Sequence, residues 1–439
     1  MFACADGGCV GPEVGEFVLA VEASPTMPTV AIATWATGEP GTSYIEFGPD
    51  PDYGFRTAEG TESTTQHRWV VPGFPSDSSW HVRAHSIVNG EELVSADTVF
   101  TNGSAPTNIP AFTISGERQH PGWIVTTLLG SDPFVVIMNS DGNYTWAYEG
   151  THSQVFTRAR ISLDGQAVVF NTFAEDRAID EGKIVRVSFD GATVTEVKTP
   201  LAHHDFVELP EGGYAFIAID VREYDGRNIV GDAIVEVSPD GADTRVAWNS
   251  WDWWEPTDDH LPENFYPQGE DWLHGNALEY DPVERTYLLS LHNRNSIVLV
   301  DRDSGEIGWE LGGSASDFAL TSGTAFEHQH GPSFFGDELF VFDNRAEGCC
   351  SFGRAYALDK NAMTYEETWS VAGANDERVQ QFGQVTPYDD GATLIDWGSA
   401  GYFSELDADD EQRWRADVAF GTIPTYFLAV EQIGMATEG

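Results

Sequence analysis

Three segments of the chain place histidine at the head of a short apolar run. They are Leu201-Ala-His203-His204-Asp205-Phe-Val, Trp272-Leu-His274-Gly-Asn276-Ala-Leu, and Glu327-His328-Gln329-His330-Gly-Pro-Ser-Phe-Phe. With an ordinary pKa of about 6.5, a neutral imidazole serves near pH 7 as nucleophile, base or, once protonated, acid. A lone histidine in such a run is usually a satisfied structural residue. Three at one register of a repeating unit predict a shared site. The same set, joined by His292, offers a second chemistry, because imidazole is the commonest ligand of zinc, iron and copper. A His-bound transition metal would bring hydrolase or oxygenase chemistry, and a propeller that only binds is the third reading.

Something must bring these runs together, and the sequence repeats. A short apolar strand ending in an acidic turn recurs six times: Val135–Asp141, Ile184–Asp190, Ile234–Asp240, Ile297–Asp303, Ala355–Asp359 and Phe403–Asp407. A tryptophan follows in most copies, at Trp146, Trp248, Trp309 and Trp414. The anchor aspartates recur about every 50 residues, the period of four-stranded propeller blades. No amphipathic helix of convincing length interrupts them. The expected architecture is all-β, with a six-bladed β-propeller over 111–432. Corresponding positions of successive blades sit at equal height, so His204, His274 and His330 are expected at one mouth of the central channel.

Before the repeats, residues 14–102 read as short alternating runs broken by Pro, Gly, Asp and Ser, as in a β-sandwich. Asn89-Gly90 marks a hairpin turn within them. The stretch Trp80–Leu93 resembles the late strands of fibronectin type III modules. A Gly, Ser, Pro and Asn-rich linker (103–110) follows, and residues 1–13 form an N-terminal segment. Its opening Met-Phe-Ala-Cys4 reads as the remnant of a lipoprotein cleavage site, and so as a lipid anchor through Cys4.

The charge sets bounds. Asp and Glu number 71 against 22 Lys and Arg, a formal charge of −49. Such a surface repels nucleic acid and anionic membrane. No run of about 18 apolar residues spans a bilayer. The cysteines fall in two close pairs, Cys4/Cys9 and Cys349/Cys350, which fits an oxidising periplasmic or extracellular setting. The acidic turn Asp407-Ala-Asp409-Asp410 is a candidate structural calcium site without a full loop motif.

The runs Asp271–Asp281, Tyr287–Asp301 and Gly305–Gly313, with the His203-His204-Asp205 strand and the strand from Gln329-His330 to Phe342-Asp-Asn344, resemble bacterial arylsulfate sulfotransferases over about residues 110–430. The resemblance implies a cofactor-free enzyme that moves a sulfuryl group from a small aryl sulfate donor to a phenolic acceptor. It implies that His330 is transiently sulfated, with His204, His274 and Asn276 in support. One position departs from the family pattern: His292 stands two residues after Ser290, where an arginine is usual, and Arg294 follows two positions later. His292, Arg294, His203 and His328 are the expected substrate-binding residues. The insertion carrying Trp253 and Trp254 is the expected aromatic wall.

Overall fold

The computed structural model describes residues 17–120, 122–152, 154–174, 181–256, 266–348, 350–374, 377–419 and 421–430. Cys4, Cys9 and Cys349 lie outside them, as does the lipoprotein-like start. Cys350 is buried. The described residues are all-β apart from short 3-10 turns such as Ser250–Asp252 and Gly398–Ala400, and none of their helices is long and apolar enough to cross a membrane.

Six sheets, antiparallel but for one short parallel edge strand in each of blades 3 and 5, form the propeller. Their innermost strands, blade by blade, are Ile423–Val430, Gln154–Ile161, Ala202–Glu208, Gly275–Asp281, His330–Phe335 and Gln384–Pro387. Each blade adds at least three strands outward, as in blade 4 with Thr286–Leu291, Ser296–Asp301 and Ile307–Gly312. Blades pack face to face, so a middle strand such as Phe134–Asn139 is buried on both faces and reads as a continuous apolar run. All six acidic turns fall between the third and fourth strands of their blades, counted outward from the channel. Their geometry explains the residue types: Asp190 and Asp240 accept from the amides two residues on, Ala192 at 3.0 Å and Ala242 at 3.1 Å. The glycines between, Gly191 and Gly241, have φ of 69° and 72°, which favours a residue without Cβ.

The ring closes twice. The last strand, Ile423–Val430, pairs with Trp123–Leu129 as the inner edge of blade 1, while Phe112–Gly116 pairs with Gln412–Val418 on the outer edge of blade 6. Tryptophans staple adjacent blades: Trp146 Nε1 donates to Phe189 O at 3.0 Å, and Trp414 Nε1 donates to Ser140 O at 2.8 Å across the closure. Trp414 is fully buried, so Trp414→Ala should cost about 3–5 kcal/mol of unfolding free energy, as read by chemical denaturation. A loss below about 1 kcal/mol would show that the closure does not depend on this ring.

The N-terminal region differs from the expected two-sheet sandwich. Its seven strands form one hydrogen-bonded sheet because Ala31–Gly48 is a single 18-residue strand. The first part of that strand pairs with Thr64–Val71 and the second with Ser79–Val88, with an irregularity between Ala36 and Gly41. The Gly38-Glu-Pro-Gly41 stretch therefore kinks one strand where turn residues suggested a break between two. The hairpin at Asn89-Gly90 is present, with both residues at positive φ. This sheet shares a continuous core with blades 1 and 2, including Trp69, Phe74, Trp123, Trp146 and Phe189. Arg68 also pairs with Asp190 at 2.6 Å.

The calcium expectation meets a competing use of the same carboxylate. Asp407 Oδ1 accepts from the amides of Asp409 and Glu411, its Oδ2 pairs with Arg413, and Asp410 accepts from Trp369 Nε1.

Candidate active site

The inner strands carry β-bulges near their starts. Pairing slips between His203 and Phe206, between Gly275 and Ala277, and between His330 and Ser333. A bulge adds residues that have no partner in the ladder, and it re-aims their side chains. Three histidines here also occupy the left-handed region, His204 at φ 53°, His274 at 56° and His328 at 52°. That conformation is uncommon for residues with Cβ and concentrates at functional sites.

The result is one cavity of about 790 Å³ at one mouth of the channel. His204, His274, His292, His328 and His330 all line it. Ring centroids run 4.7 Å from His204 to His274, 5.4 Å from His274 to His292, 5.6 Å from His292 to His330, and 4.3 Å from His292 to His328. Tyr266, Phe173 and Phe382 supply aromatic walls.

Fixed partners set the histidine tautomers. Asn344 Nδ2 donates to Val379 O at 3.1 Å and Phe382 O at 2.9 Å, so the atom it presents to His330 is Oδ1, an acceptor. His330 Nδ1, 2.8 Å away, must donate, and Nε2 is left as the basic nitrogen of the neutral ring. His274 Nδ1 faces Asp271 Oδ2 at 2.5 Å, and Asp271 is fully buried. His203 is not part of the cavity lining: its Nε2 lies 3.0 Å from Asp232 and its Nδ1 2.9 Å from His204 Nδ1. Asp232 also accepts from the Gly275 amide at 3.0 Å. At Gly275 a Cβ would press within 3.1–3.2 Å of Ile217 and Asp232, which accounts for glycine after His274.

Burial keeps three of these imidazoles uncharged. Desolvation, reinforced by the neighbouring imidazoles, holds His204 and His292 well below the ordinary histidine pKa, and pulls His330 down to about 3. Burial pushes Asp271 upward, against the pull of His274.

Asn276 acts on the cluster from behind. Fully buried, it donates to Gln329 O at 2.8 Å, and Gln329 Nε2 donates to Ser290 Oγ and Ser296 O, both at 2.9 Å. These bonds clamp the residue before His330 to blade 4. Arg294 turns away: its guanidinium makes bonds of 2.6 and 3.1 Å to Glu310 and lies 4.3 Å above the Trp254 ring. Trp253 and Trp254 stand outside the lining, and among the described residues of that insertion Tyr266 reaches the cavity. Sequence reasoning assigned no role to Asp271, Asn344, Arg345 or Arg378. The first two lay inside the motifs already singled out, whereas Arg345 and Arg378 sit on loops outside any repeat.

The channel is crossed next to this cavity. Arg158, one residue beyond the lining Thr157, donates to Glu279 at 2.8 Å and to Gln384 at 2.8 Å, joining the inner strands of blades 2, 4 and 6. Glu279 also accepts from Arg160 at 3.1 Å. Among the described residues, no three side chains of His, Cys, Asp or Glu come together so as to hold a metal ion.

A family model, Arylsulfotransferase (ASST), matches residues 123–420. Among solved structures, the nidogen/laminin complex aligns at 14% identity, over 71% of this chain and 100% of that one, with a TM-score of 0.45. A Bacteroides caccae protein of unknown function aligns at 15% identity over the same shares, with a TM-score of 0.44. Regucalcin from Agrobacterium tumefaciens, a calcium-binding protein, aligns at 13% identity over 69% and 91%, with a TM-score of 0.32. No curated protein matches the chain.

Proposed function

Because the chain belongs to the arylsulfotransferase family, we propose that its histidine cavity moves a sulfuryl group from a phenolic sulfate ester to a phenolic acceptor. The observation that carries this reading is His330: a buried, neutral imidazole whose Nδ1 proton is committed to Asn344, so that Nε2 is the nucleophilic nitrogen. In the first half-reaction Nε2 attacks sulfur, the S–O bond to the aryl group breaks, and the phenolate leaves with the electron pair. Protonated His274, its charge stabilised by Asp271, hands that phenolate a proton. In the second half-reaction neutral His274 takes the proton of the incoming phenol, whose oxygen displaces His330 from sulfur. The cycle closes with both rings restored. His204 and His292 flank the transferred group, where the protein's task is to position and neutralise charge spread over the oxygens.

The aromatic walls suit a flat donor and acceptor, and the spacing of the cysteines in two close pairs along the sequence suits a periplasmic or extracellular setting. Brief exposure to 4-nitrophenyl sulfate, followed by acid-free peptide mass spectrometry, is expected to find a sulfuryl adduct on the peptide containing His330. Chelator-treated protein should keep its full transfer rate. Activity abolished by chelation and restored by a metal would replace this mechanism with a metal-assisted one.

A further inference from the structure

We propose that Arg378 and Arg345 form the anion subsite of this cavity, the wall on which the sulfate group of the donor is captured before transfer. The proposal deepens the sulfuryl-transfer reading and rests on it for the identity of the ligand.

The need for such a site follows from charge. The donor is an anion, the protein carries −49, and His204, His292 and His330 are held neutral. A neutral imidazole offers one donor and no charge, whereas a guanidinium offers a planar fork that matches two oxygens of a sulfate. His292 stands where an arginine was expected. Arg294 is occupied by Glu310 and Trp254 outside the cavity.

The arginines that do line the cavity are Arg345, between two strands of blade 5, and Arg378, on the connection from blade 5 to blade 6. Arg345 directly follows Asn344, the partner of His330, and has a left-handed φ of 62°. Its amide is tied to Glu327 O at 3.0 Å and its Nη1 to Ala325 O at 3.2 Å. Asp343 and Glu327 pair with its guanidinium at 3.6 and 3.7 Å, at ion-pair distance but without a direct hydrogen bond. Arg378 is exposed toward the mouth, and one nitrogen, Nη2, donates to both Arg345 O at 3.2 Å and Ala346 O at 2.5 Å. Those bonds latch it to the loop that orients His330. Among the described residues no carboxylate lies within ion-pair distance of Arg378, which lines the cavity.

Two guanidinium groups on one wall, latched to the same loop as the nucleophile's partner, fit a monoanionic sulfate ester. Loss of one charged hydrogen-bonding partner corresponds to about a 10- to 100-fold change in affinity.

The test is calorimetric titration of 4-nitrophenyl sulfate into the non-reacting His330→Ala variant, alone and combined with Arg378→Gln or Arg345→Gln, with 4-nitrophenol as the uncharged control. Each arginine change should weaken ester binding at least about tenfold and leave 4-nitrophenol binding as it was, and Arg378→Lys should recover part of the loss. In otherwise unaltered enzyme, Arg378→Gln should raise the donor KM by a similar factor with kcat within about threefold. Arg378 is exposed, so this variant is expected to fold, and near-ultraviolet circular dichroism checks that. Ester affinity unchanged by both substitutions would overturn the subsite even if transfer activity is present. Ester binding that depends on both arginines, in a protein that transfers nothing, would leave the subsite standing and remove the transfer reading.

Discussion

His330→Ala is expected to lower turnover of an aryl sulfate by at least about 10⁴-fold and to abolish the sulfuryl adduct. Removing a covalent nucleophile costs on this scale because the remaining groups can only bind and polarise. Both half-reactions run through Nε2, so burst and steady state should vanish together. Asn344→Ala separates position from chemistry. It leaves the nucleophile in place but removes the acceptor that fixes the tautomer, and a loss of about 10²-fold is expected, with a changed pH profile. The His330 variant also strands the buried Asn344 Oδ1, which should cost about 1–3 kcal/mol of stability without unfolding the propeller. Turnover retained in a folded His330→Ala protein would remove this histidine from the mechanism.

Acid should unfold the protein through the same cluster. In the unfolded chain each imidazole binds a proton as pH falls through about 6.5. In the folded state His330 resists until about 3, and His204 and His292 are also shifted well down. Between those limits the unfolded state holds more protons, so stability is complete above about pH 6.5 and declines as pH falls. Each such group contributes a slope of about 1.4 kcal/mol per pH unit, and three together approach about 4 kcal/mol per unit. A typical total of about 5–15 kcal/mol is exhausted within a few units. Denaturant titrations at pH 7.5, 6.5, 5.5 and 4.5 are expected to show a small change over the first step and a steep loss over the next two. Burial raises Asp271, Asp343 and Asp396, whose proton uptake in the folded state offsets part of this loss, while most other carboxylates titrate near or below pH 4. A stability curve flat down to pH 4.5 would mean that the folded cluster accepts protons freely. On this account the acid limb of activity follows unfolding and not protonation of His330.

The propeller was legible because its signal is repeated. Each Asp turn sits where the chain must reverse between the same two strands, so six weak local patterns reinforce one another. The N-terminal sheet lacked that redundancy. Gly38, Pro40 and Gly41 carry turn chemistry, yet pairing with two different partners holds the strand continuous through them. At the site, His204, His274 and His330 converge as their common register implied, and the bulge resolves the choice between neighbours: His204 lines the cavity while His203 pairs with Asp232. Had strand alternation continued, His292 and Arg294 would share one face. In the structure both follow the end of Thr286–Leu291, where alternation no longer applies, and Arg294 goes to Glu310. Arg378 was invisible for a different reason: its role depends on which blade its loop overhangs, and no local pattern encodes that.

The double closure of the ring has a consequence for how the protein is made. Trp123–Leu129 is among the first propeller strands to leave the ribosome, and its permanent inner neighbour, Ile423–Val430, is the last. Throughout synthesis of the intervening blades this early strand presents an unpaired, apolar edge, the feature most prone to adventitious strand addition. The N-terminal sheet emerges earlier still and packs against Trp123 and Trp146, covering the face of the young blade though not its edge. Nascent chains halted before residue 423 should therefore bind holdase chaperones and resist proteases poorly, and the change to a protected form should come abruptly, with the final strand.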